Sequence, residues 1–201
     1  MLALETGADG QARCAWCVGR ARYEHYHDHE WGFPVADDRR LFEKISLEGF
    51  QAGLSWYTIL QKREHFRAAF AQFDFEKVAH FTEADVQRLL QNAGIVRHRG
   101  KIEAVIHNAA RALEMVAQEG SLAAFFWRFA PATDSDGTQL LAQTAESQAL
   151  SKELKLRGWK FVGPTTCYAF MQSMGMVNDH AAGCTTRTAV AQAKNQFQMP
   201  Q

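Results

Sequence analysis

Glu48, a carboxylate near the end of an apolar segment, is the first candidate for a catalytic or ligand-binding residue. We predict a helix that begins near Asp37. It would carry Leu41, Ile45 and Glu48 on one face, because seven residues nearly close two helical turns. A carboxylate on a buried stripe is costly unless a cation or a hydrogen-bond donor meets it. The sequence leaves two partners open, an Arg from elsewhere in the fold or a bound ligand.

Aromatic residues that could stack on a flat ligand accompany this carboxylate. Trp56 follows Glu48 after a glycine-containing turn, and Tyr23 and Tyr26 precede it. Aromatic rings next to a carboxylate suit a flat, electron-poor or cationic heterocycle, through stacking and cation–π attraction. Packing in the core is the usual fate of a Trp at helical spacing, so both interpretations stay open at this point.

Cysteine and histidine residues split between the two ends of the chain form a second candidate site. His180 and Cys184 are four residues apart, close enough for both to reach one ion. Cys14 and His27 could supply the other two corners of a tetrahedral site. Four protein ligands leave no open position, so a zinc ion held in this way would be structural.

Two other uses of these residues remain open in the sequence. Cys14 and Cys17 form a CxxC pair, although the βαβ context that a redox motif needs is lacking. His25, His27 and His29 would share a face if their segment were extended. Such a three-histidine site would be catalytic in type, but no obvious base lies beside it.

A glycine-rich turn between two predicted helices is the third candidate. Residues 157–166 contain a potential hairpin, and Pro164 opens the helix that follows it. The free N–H groups and the dipole of that helix would form an anion site suited to a DNA phosphate. An ordinary αα-turn is the alternative. Local positive charge comes from Lys152, Lys155, Arg157 and Lys160.

Composition limits the class of protein that can hold these sites. With 201 residues, 47% hydrophobic and 22% charged, the chain is globular and long enough for a real core. Basic and acidic residues number 22 each, which counts against a general nucleic-acid binder and restricts any DNA contact to local clusters. The sequence shows no run of 18 apolar residues and no secretory signal. Four cysteines then indicate a reducing compartment, the cytoplasm.

Helices are predicted along most of the chain, because apolar residues recur at helical spacing and strand-like alternation is nearly absent. The longest helix is expected to end at Gly120. Helix starts are expected at Asp37 or Asp38, Ser55, Asp74, Thr82, Ser147 and Pro164. The predicted fold class is all-α.

The two ends of the chain carry no motif. Residues 1–12 are expected to form a loose leader, and residues 185–201 a C-terminal tail. Residues 13–184 are expected to form a single domain with two helical lobes. The loop of residues 131–137, rich in Pro, Asp, Ser and Gly, marks the boundary between those lobes.

Taken together, these residues resemble the bacterial DNA-3-methyladenine glycosylase I family over residues 13–184. The resemblance implies a helix-hairpin-helix glycosylase fold. Cys17 is not part of the family pattern. The segments that carry the resemblance are Cys14-x-Trp16, Tyr23-x-x-Tyr26-His27-Asp28-x-Glu30-Trp31-Gly32, Leu47-Glu48-Gly49-x-Gln51-Ala52-Gly53-Leu54-Ser55-Trp56, Ala93-Gly94-Ile95-x-Arg97-His98-Arg99-Gly100-Lys101-Ile102, Phe161-Val162-Gly163-x-Thr165-Thr166 and Asn178-Asp179-His180-x-x-Gly183-Cys184.

The resemblance also implies an activity and its site. The expected function is base-excision repair, by hydrolysis of the N-glycosidic bond of 3-methyladenine in double-stranded alkylated DNA. Glu48, the expected catalytic residue, would accept hydrogen bonds from the base. Tyr26 and Trp56 would stack on the base, and Tyr23 would line its pocket. One structural zinc would join the N- and C-terminal segments through Cys14, His27, His180 and Cys184.

DNA contacts are expected from two turns. Leu54, lifted by Gly53, would wedge into the gap left in the duplex. The expected contacts with the phosphate backbone are Lys160, Gly163, Thr165 and Thr166.

Two further expectations concern the zinc site and the reaction. Asp179 is expected to orient the zinc ligand His180. No lysine is positioned to form a Schiff base, so hydrolysis without strand cleavage is expected.

Two rival functions remain after these arguments. One is a non-enzymatic, zinc-stapled helical module that binds DNA through the hairpin. The other is a redox protein that uses Cys14 and Cys17. We expect a monomer that acts on nucleoid DNA in the cytoplasm, with no membrane contact and no protein partner.

Overall fold

The computed structural model, which describes residues 2–139 and 141–200, is mostly helical, as the sequence predicted. A 3₁₀ turn over Ala71–Phe73 separates the third helix from the fourth. Within the described residues no helix is long and apolar enough to cross a membrane. The helices are α1 (Ala21–His29), α2 (Asp38–Gln51), α3 (Trp56–Ala69), α4 (Phe75–Val78), α5 (Glu83–Leu90), α6 (Arg99–Glu119), α7 (Leu122–Trp127), α8 (Ala145–Leu156), α9 (Pro164–Ser173) and α10 (Thr185–Gln196).

A short hairpin near the N-terminus corrects the prediction of an all-α chain with a loose leader. Strand β1 (Leu4–Thr6) pairs antiparallel with β2 (Ala12–Cys14). Three-residue strands are too short for alternation to reveal them in a sequence. Arg13 secures the hairpin by ion pairs with Asp9 at 2.7 Å and with Asp28 of α1 at 2.8 Å.

The C-terminal segment also differs from the motif-free tail that was expected. Helix α10 occupies most of it and buries Val190 completely. Beyond the helix, the ring of Phe197 packs 4.4 Å from the ring of Trp127. Few apolar residues point inward from α10, so its sequence gives a weak helical signal.

The predicted helix starts follow from local capping chemistry. Asp37 and Ser55 accept hydrogen bonds from backbone N–H groups three residues later, and Thr82 forms a capping box. Helix α8 begins two residues before Ser147, because Thr144 makes reciprocal cap bonds with that serine. Caps depend on neighbouring residues, which explains why the sequence locates them well.

Helix α2 is the central element, and every residue from 41 to 50 is buried. It packs against α3, α6, α7 and α9, so both its ends are fixed within the core. Around it the core is rich in phenylalanine, with Phe42, Phe50, Phe66 and Phe170 fully buried. A close-packed helix of this kind holds its side chains in defined directions. Glu48 is therefore presented from a rigid support.

Candidate functional site

A cavity of about 200 Å³ lies beside Glu48. The structure brings together all four residues that the sequence assigned to the base, namely Glu48, Tyr23, Tyr26 and Trp56. Residues from both halves of the chain complete it, since α9 packs against α2. Its walls are Leu2, Trp16, Tyr23, Tyr26, Trp31, Glu48, Gln51, Trp56, Ala169, Gln172 and Asp179.

The buried carboxylate of Glu48 meets a lysine from its own helix. The Nζ atom of Lys44 lies 2.8 Å from Glu48 Oε1, and both residues are about 95% buried by relative area. The partner within the protein is therefore a lysine of the same helix and not the Arg from elsewhere in the fold that the sequence left open. Sequence reasoning missed Lys44, although its spacing of four residues before Glu48 is the usual spacing of a helical ion pair.

Lys44 also contacts both aromatic residues that were expected to stack on the base. Its ammonium donates a hydrogen bond to Tyr26 Oη at 2.8 Å and lies 3.1 Å from the centre of the Trp56 ring. Burial lowers the pKa of Lys44 to about 8, although Glu48 opposes this shift. The lysine is therefore still mainly charged at neutral pH, and its contacts fix three walls of the cavity.

The two cavity tyrosines stay protonated at neutral pH. Burial raises the pKa of Tyr23 to about 12, and burial followed by the charge of Glu48 raises the pKa of Tyr26 well above its ordinary value. The Tyr26 and Trp56 rings lie 5.5 Å apart at 44°, so a flat ligand cannot be parallel to both. We therefore expect full stacking on one ring and an inclined contact with the other.

Three further wall residues were missed by sequence reasoning. Trp16 and Trp31 lie in edge-on contact 5.2 Å apart and extend the aromatic wall, and Gln172 reaches the cavity from α9. The tryptophans could have been found from their positions beside Cys14 and His27. No local pattern marks Gln172, because its place depends on how α9 packs.

Asp179 has a different environment from the one predicted. Its carboxylate lines the cavity and accepts hydrogen bonds from Tyr168 Oη at 2.7 Å and Gln172 Nε2 at 2.6 Å. The prediction that Asp179 orients His180 is wrong, because Asn178 Oδ1 takes that place, 3.1 Å from His180 Nδ1. Asn178 and Asp179 are adjacent in the sequence but point to opposite sides of the loop, so the sequence does not show which of them faces His180.

The cysteine and histidine residues from both ends of the chain do meet. The ligand atoms of Cys14, His27 and Cys184 lie within 4.8 Å of one another, and all three residues are buried. The ring of His180 lies 4.8 Å from that of His27. Its Nε2 atom is buried without a hydrogen-bond partner among the described residues. These four residues were the predicted metal ligands.

The donor set fits a tetrahedral zinc ion. The Nδ1 atom of His27 is 2.7 Å from Asp28, and Asn178 holds Nδ1 of His180, which leaves each Nε2 as the metal-binding atom. Nε2 of His27 faces Cys184 Sγ at 3.5 Å, and Nε2 of His180 has no hydrogen-bond partner among the described residues. Burial lowers the pKa of His180 to about 4, which keeps its ring neutral. Hydrogen bonding to Cys14 and His27 lowers the pKa of Cys184, which favours the thiolate that a metal requires.

The alternative uses of these residues find no support in the geometry. Residues 21–29 form helix α1, so His25 and His29 pair with ring centres 4.6 Å apart while His27 turns to the interior. The extended three-histidine face is therefore wrong. Cys17 is fully buried and its thiol donates to the Cys14 carbonyl oxygen at 3.1 Å. A redox partner would have no access to it.

The turn between α8 and α9 is held rigidly. Asn108 bonds both backbone groups of Lys160, at 2.8 and 2.9 Å, and Ser151 donates to the Val162 carbonyl oxygen at 2.6 Å. Phe161 at its tip has a φ of 57°, a left-handed conformation that a non-glycine residue adopts only under such constraint. The turn thus presents a defined backbone.

The predicted phosphate contacts lie at this turn. Gly163 precedes α9, and Lys160 and Thr165 are exposed while Thr166 is partly buried. Arg157 differs from the expected basic cluster, because its guanidinium pairs with Glu119 at 2.6 Å and Glu153 at 2.9 Å. The free positive charge is therefore smaller than the sequence suggested, and comes from Lys152, Lys155 and Lys160.

The second predicted DNA contact lies at the mouth of the cavity. Gly53 has a φ of 82° and Leu54 is 41% exposed, between the cavity residues Gln51 and Trp56. Lys101 fixes the end of α2 beneath this turn by donating hydrogen bonds to the carbonyl oxygens of residues 50 and 52, at 2.9 and 2.6 Å. An exposed leucine on a fixed turn is thus available to a partner.

The fold and its cavity define a helical protein whose aromatic-walled cavity contains a buried carboxylate. The sequence profile of the family described as methyladenine glycosylase matches residues 16–188. The chain is 52% identical to DNA-3-methyladenine glycosylase 1 of Escherichia coli, over 86% of this chain and 95% of that protein. It is 48% identical to DNA-3-methyladenine glycosylase of Haemophilus influenzae, over 88% and 98%.

A solved structure extends this similarity to the fold. A variant of 3-methyladenine DNA glycosylase I in complex with 3-methyladenine is 36% identical, with a TM-score of 0.82 over 87% of this chain and 97% of that one. The chain described here belongs to the methyladenine glycosylase family.

Proposed function

We propose that this protein is a DNA glycosylase that hydrolyses the N-glycosidic bond of 3-methyladenine in double-stranded alkylated DNA. This reaction begins base-excision repair. The observation that carries the proposal is the buried carboxylate of Glu48 in a cavity walled by Tyr23, Tyr26 and Trp56. The relatives named above, one of them solved with 3-methyladenine, support the same reaction.

The substrate must leave the base stack before the cavity can hold it. An enzyme that acts on a base in a duplex extracts the nucleotide, at a cost of a few kcal/mol. The exposed side chain of Leu54 on its fixed turn would fill the gap that remains in the duplex. Gly53 supports this role, because its positive φ lifts the turn and no atom lies near its missing side chain.

Cleavage of the bond between the base and the sugar needs little help from a general acid. Adenine methylated at N3 carries a positive charge in DNA and leaves as a neutral base, and the transition state at the sugar resembles an oxocarbenium ion. The enzyme must therefore mainly select, orient and desolvate the base. Glu48 accepts hydrogen bonds from the polar edge of the base and favours its charge, with Lys44 holding one carboxylate oxygen.

We assign the phosphate backbone to the turn between α8 and α9. The free N–H groups at the start of α9 and the side chains of Lys160, Thr165 and Thr166 would contact phosphate oxygens. This arrangement would be the helix-hairpin-helix that the family resemblance implied. Helix α9 also contributes Gln172 to the cavity, so it would couple backbone binding to base binding.

The proposed reaction is hydrolysis alone, without strand cleavage. Strand cleavage by a glycosylase needs an amine that forms a Schiff base with the sugar. Lys44 is the lysine nearest to Glu48, but three contacts occupy its ammonium and it does not line the cavity. We therefore expect an intact abasic site as the product.

We also propose one structural zinc ion, held by Cys14, His27, His180 and Cys184. It would stabilise the junction of the two ends of the chain and take no part in the reaction, because four protein ligands fill its coordination sphere. The unpartnered Nε2 of His180 supports the proposal. Elemental analysis should find about one zinc per chain, and a stable, active, zinc-free preparation would contradict the site.

A release assay tests the function directly. Purified protein is incubated with DNA that was methylated with a radiolabelled agent, and the freed bases are separated by chromatography. We expect 3-methyladenine to be released while the strands stay intact until alkali cleaves the abasic sites. Binding to DNA without base release would favour the rival function, a non-enzymatic zinc-stapled DNA-binding module.

We expect the active species to be a monomer in the cytoplasm, acting on nucleoid DNA.

A further inference from the structure

The ammonium of Lys44 is a buried charge that the reaction itself does not use. Only 5% of the residue is exposed, which is unusual for lysine. Its Nζ lies 2.8 Å from Glu48 Oε1, 2.8 Å from Tyr26 Oη and 3.1 Å from the centre of the Trp56 ring. Each of these contacts involves a residue of the proposed base cavity.

Lys44 stands behind the cavity wall. A second, smaller cavity lies on that side, and Lys44 lines it together with Tyr26 and Trp56. Those two aromatic residues also line the larger cavity, whereas Lys44 does not. The Trp56 ring therefore separates the ammonium from the base. A base stacked about 3.5 Å from the opposite face would lie roughly 6–7 Å from the ammonium.

The two other carboxylates around Lys44 each pair with an arginine, and the remaining charge, Arg40, is exposed to solvent. Glu30 pairs with Arg63 at 2.5 Å, and Glu43 pairs with Arg67 at 2.9 Å. Glu48 has no ion-pair partner other than Lys44 among the described residues. The carboxylate of Glu48 is therefore balanced by one ammonium, whereas Asp179, the other carboxylate of the cavity wall, meets the neutral donors Tyr168 and Gln172. The charge at the Glu48 side of the cavity thus depends on Lys44.

We propose that Lys44 is a specificity-determining residue: by balancing Glu48 from behind Trp56, it weakens the preference of this cavity for a cationic base over a neutral one. This inference rests on the proposed function. A charge about 6–7 Å from a cationic ligand changes its binding by a factor of roughly three in water and roughly 50–100 at an effective dielectric constant near 20, so we expect about tenfold for this partly open site. The cavity then selects mainly by stacking and hydrogen bonding.

The pH dependence provides an internal check. Because burial lowers the pKa of Lys44 to about 8, its charge and its effect on a cationic ligand should fade as the pH rises through that value. Among its neighbours, the pKa of Tyr26 is raised away from this range, the pKa of Glu30 is lowered and the pKa of Arg63 is raised. The titratable or charged groups that face Lys44 besides Glu48 are Tyr26, Glu30, Arg40, Glu43, Arg63 and Arg67.

Two ligands of nearly equal shape and different charge test the proposal. Neutral 3-methyladenine and the fixed cation 3,9-dimethyladeninium differ at N9, where the sugar is attached and the cavity must be open. Their affinities for the full-length protein are measured by calorimetry at about pH 7, where Lys44 is mainly charged. The measured quantity is the ratio of the two dissociation constants, which a loss of folded protein alone does not change.

We expect Lys44→Met to shift this ratio about tenfold toward the cation, while Lys44→Arg keeps it near the wild-type value. Lys77→Met is the matched control, because Lys77 is exposed and distant in sequence from the cavity residues, and it should change nothing. An unchanged ratio in Lys44→Met would overturn the inference.

The wild-type protein supplies a second test that needs no variant. Its ratio should move toward the cation between about pH 7 and pH 9, and a flat profile would overturn the inference even if Lys44→Met does not fold. Failure of the wild-type protein to bind either ligand would have a different meaning. It would remove the proposed function, and the inference with it.

Discussion

The base cavity and the Cys/His cluster are neighbours, yet their polar groups are arranged in opposite ways. Trp16 contacts both, since its ring lies 4.7 Å from Tyr23 and 5.2 Å from His27. The cavity keeps about 200 Å³ of space, and its buried carboxylate already has a cation as partner. The cluster brings the donor atoms of Cys14, His27 and Cys184 within 4.8 Å of one another, and within the described part of the chain His180 Nε2 has no hydrogen-bond partner.

This difference is the one expected between the proposed base site, which binds its ligand temporarily, and the proposed zinc site, which would hold its ion permanently. A cavity that must release its product has to be stable when empty, so its charge at Glu48 is compensated within the protein. A structural metal site has no empty working state, and its donors can rely on the ion. The following changes should therefore affect activity on one side of Trp16 and stability on the other.

Disruption of the cluster should give the largest effect. Cys184→Ser removes one proposed ligand, and we expect the free energy of unfolding to fall by on the order of 5 kcal/mol because metal binding is coupled to folding. Denaturant unfolding and zinc content measure this. Cys17→Ser is the matched control: it is equally buried, but should keep its zinc and lose about 1–2 kcal/mol. Equal losses of zinc in both variants would contradict the assigned ligand set.

Replacement of the carboxylate should affect activity instead. Glu48→Gln keeps the shape but removes the charge, and we expect release of 3-methyladenine to fall by roughly 10²–10³-fold. Product release from methylated DNA under single-turnover conditions measures it, with the exposed Glu76→Gln as control. Near-wild-type release by Glu48→Gln, with its zinc content unchanged, would remove Glu48 from the mechanism.

The ion pair behind the cavity should give a smaller, pH-dependent effect. Burial alone would raise the pKa of Glu30, but two hydrogen bonds from Arg63 outweigh burial and lower it. The pair therefore stabilises the fold above the unfolded-state pKa near 4.3, and this contribution is lost as the pH falls through the lowered value.

The variant Arg63→Met should accordingly lose about 1–2 kcal/mol at neutral pH and little near pH 3. Chemical denaturation at a series of pH values measures the difference. Arg88→Met, which breaks an exposed pair with Asp85, is the control and should cost less than about 1 kcal/mol. A loss that does not depend on pH would show that Arg63 acts by packing alone.

The smallest effect is expected at the turn before α9. Lys160→Ala should weaken DNA binding a few-fold and lower the salt slope by about one, because one phosphate contact is lost. Titrations of labelled duplex at several salt concentrations measure it. Lys77→Ala removes an equally exposed charge on α4 and should leave the slope unchanged. Identical slopes for both variants would mean that the turn does not contact DNA.

Local signals explain most of what the sequence predicted correctly. Caps at Asp37, Ser55 and Thr82 involve residues three positions apart, and the helical spacing placed Glu48 on a buried stripe. Lys44 was open to the same reasoning, because an ion pair four residues apart is also local. It was overlooked because a buried carboxylate suggested a distant partner.

Features that depend on tertiary contacts could not be predicted in this way. The β1–β2 hairpin depends on Arg13 bridging to Asp28, and the direction of Asp179 depends on Tyr168 and Gln172 from a helix that packs beside it. The free charge at the α8–α9 turn is lower than expected because Arg157 pairs with Glu119 across the fold. No residue spacing encodes these contacts.

The junction of the two chain ends sets the order in which a functional enzyme can appear during synthesis. The backbone N–H of Ala181 donates to Cys14 Sγ at 3.3 Å, a contact between residues 167 positions apart. Until residues 172–184 have left the ribosome, the cavity lacks the wall formed by Gln172 and Asp179. A nascent chain therefore exposes the aromatic residues near Cys14 while more than 150 further residues are added, which favours aggregation. Activity begins only after Cys184 has emerged.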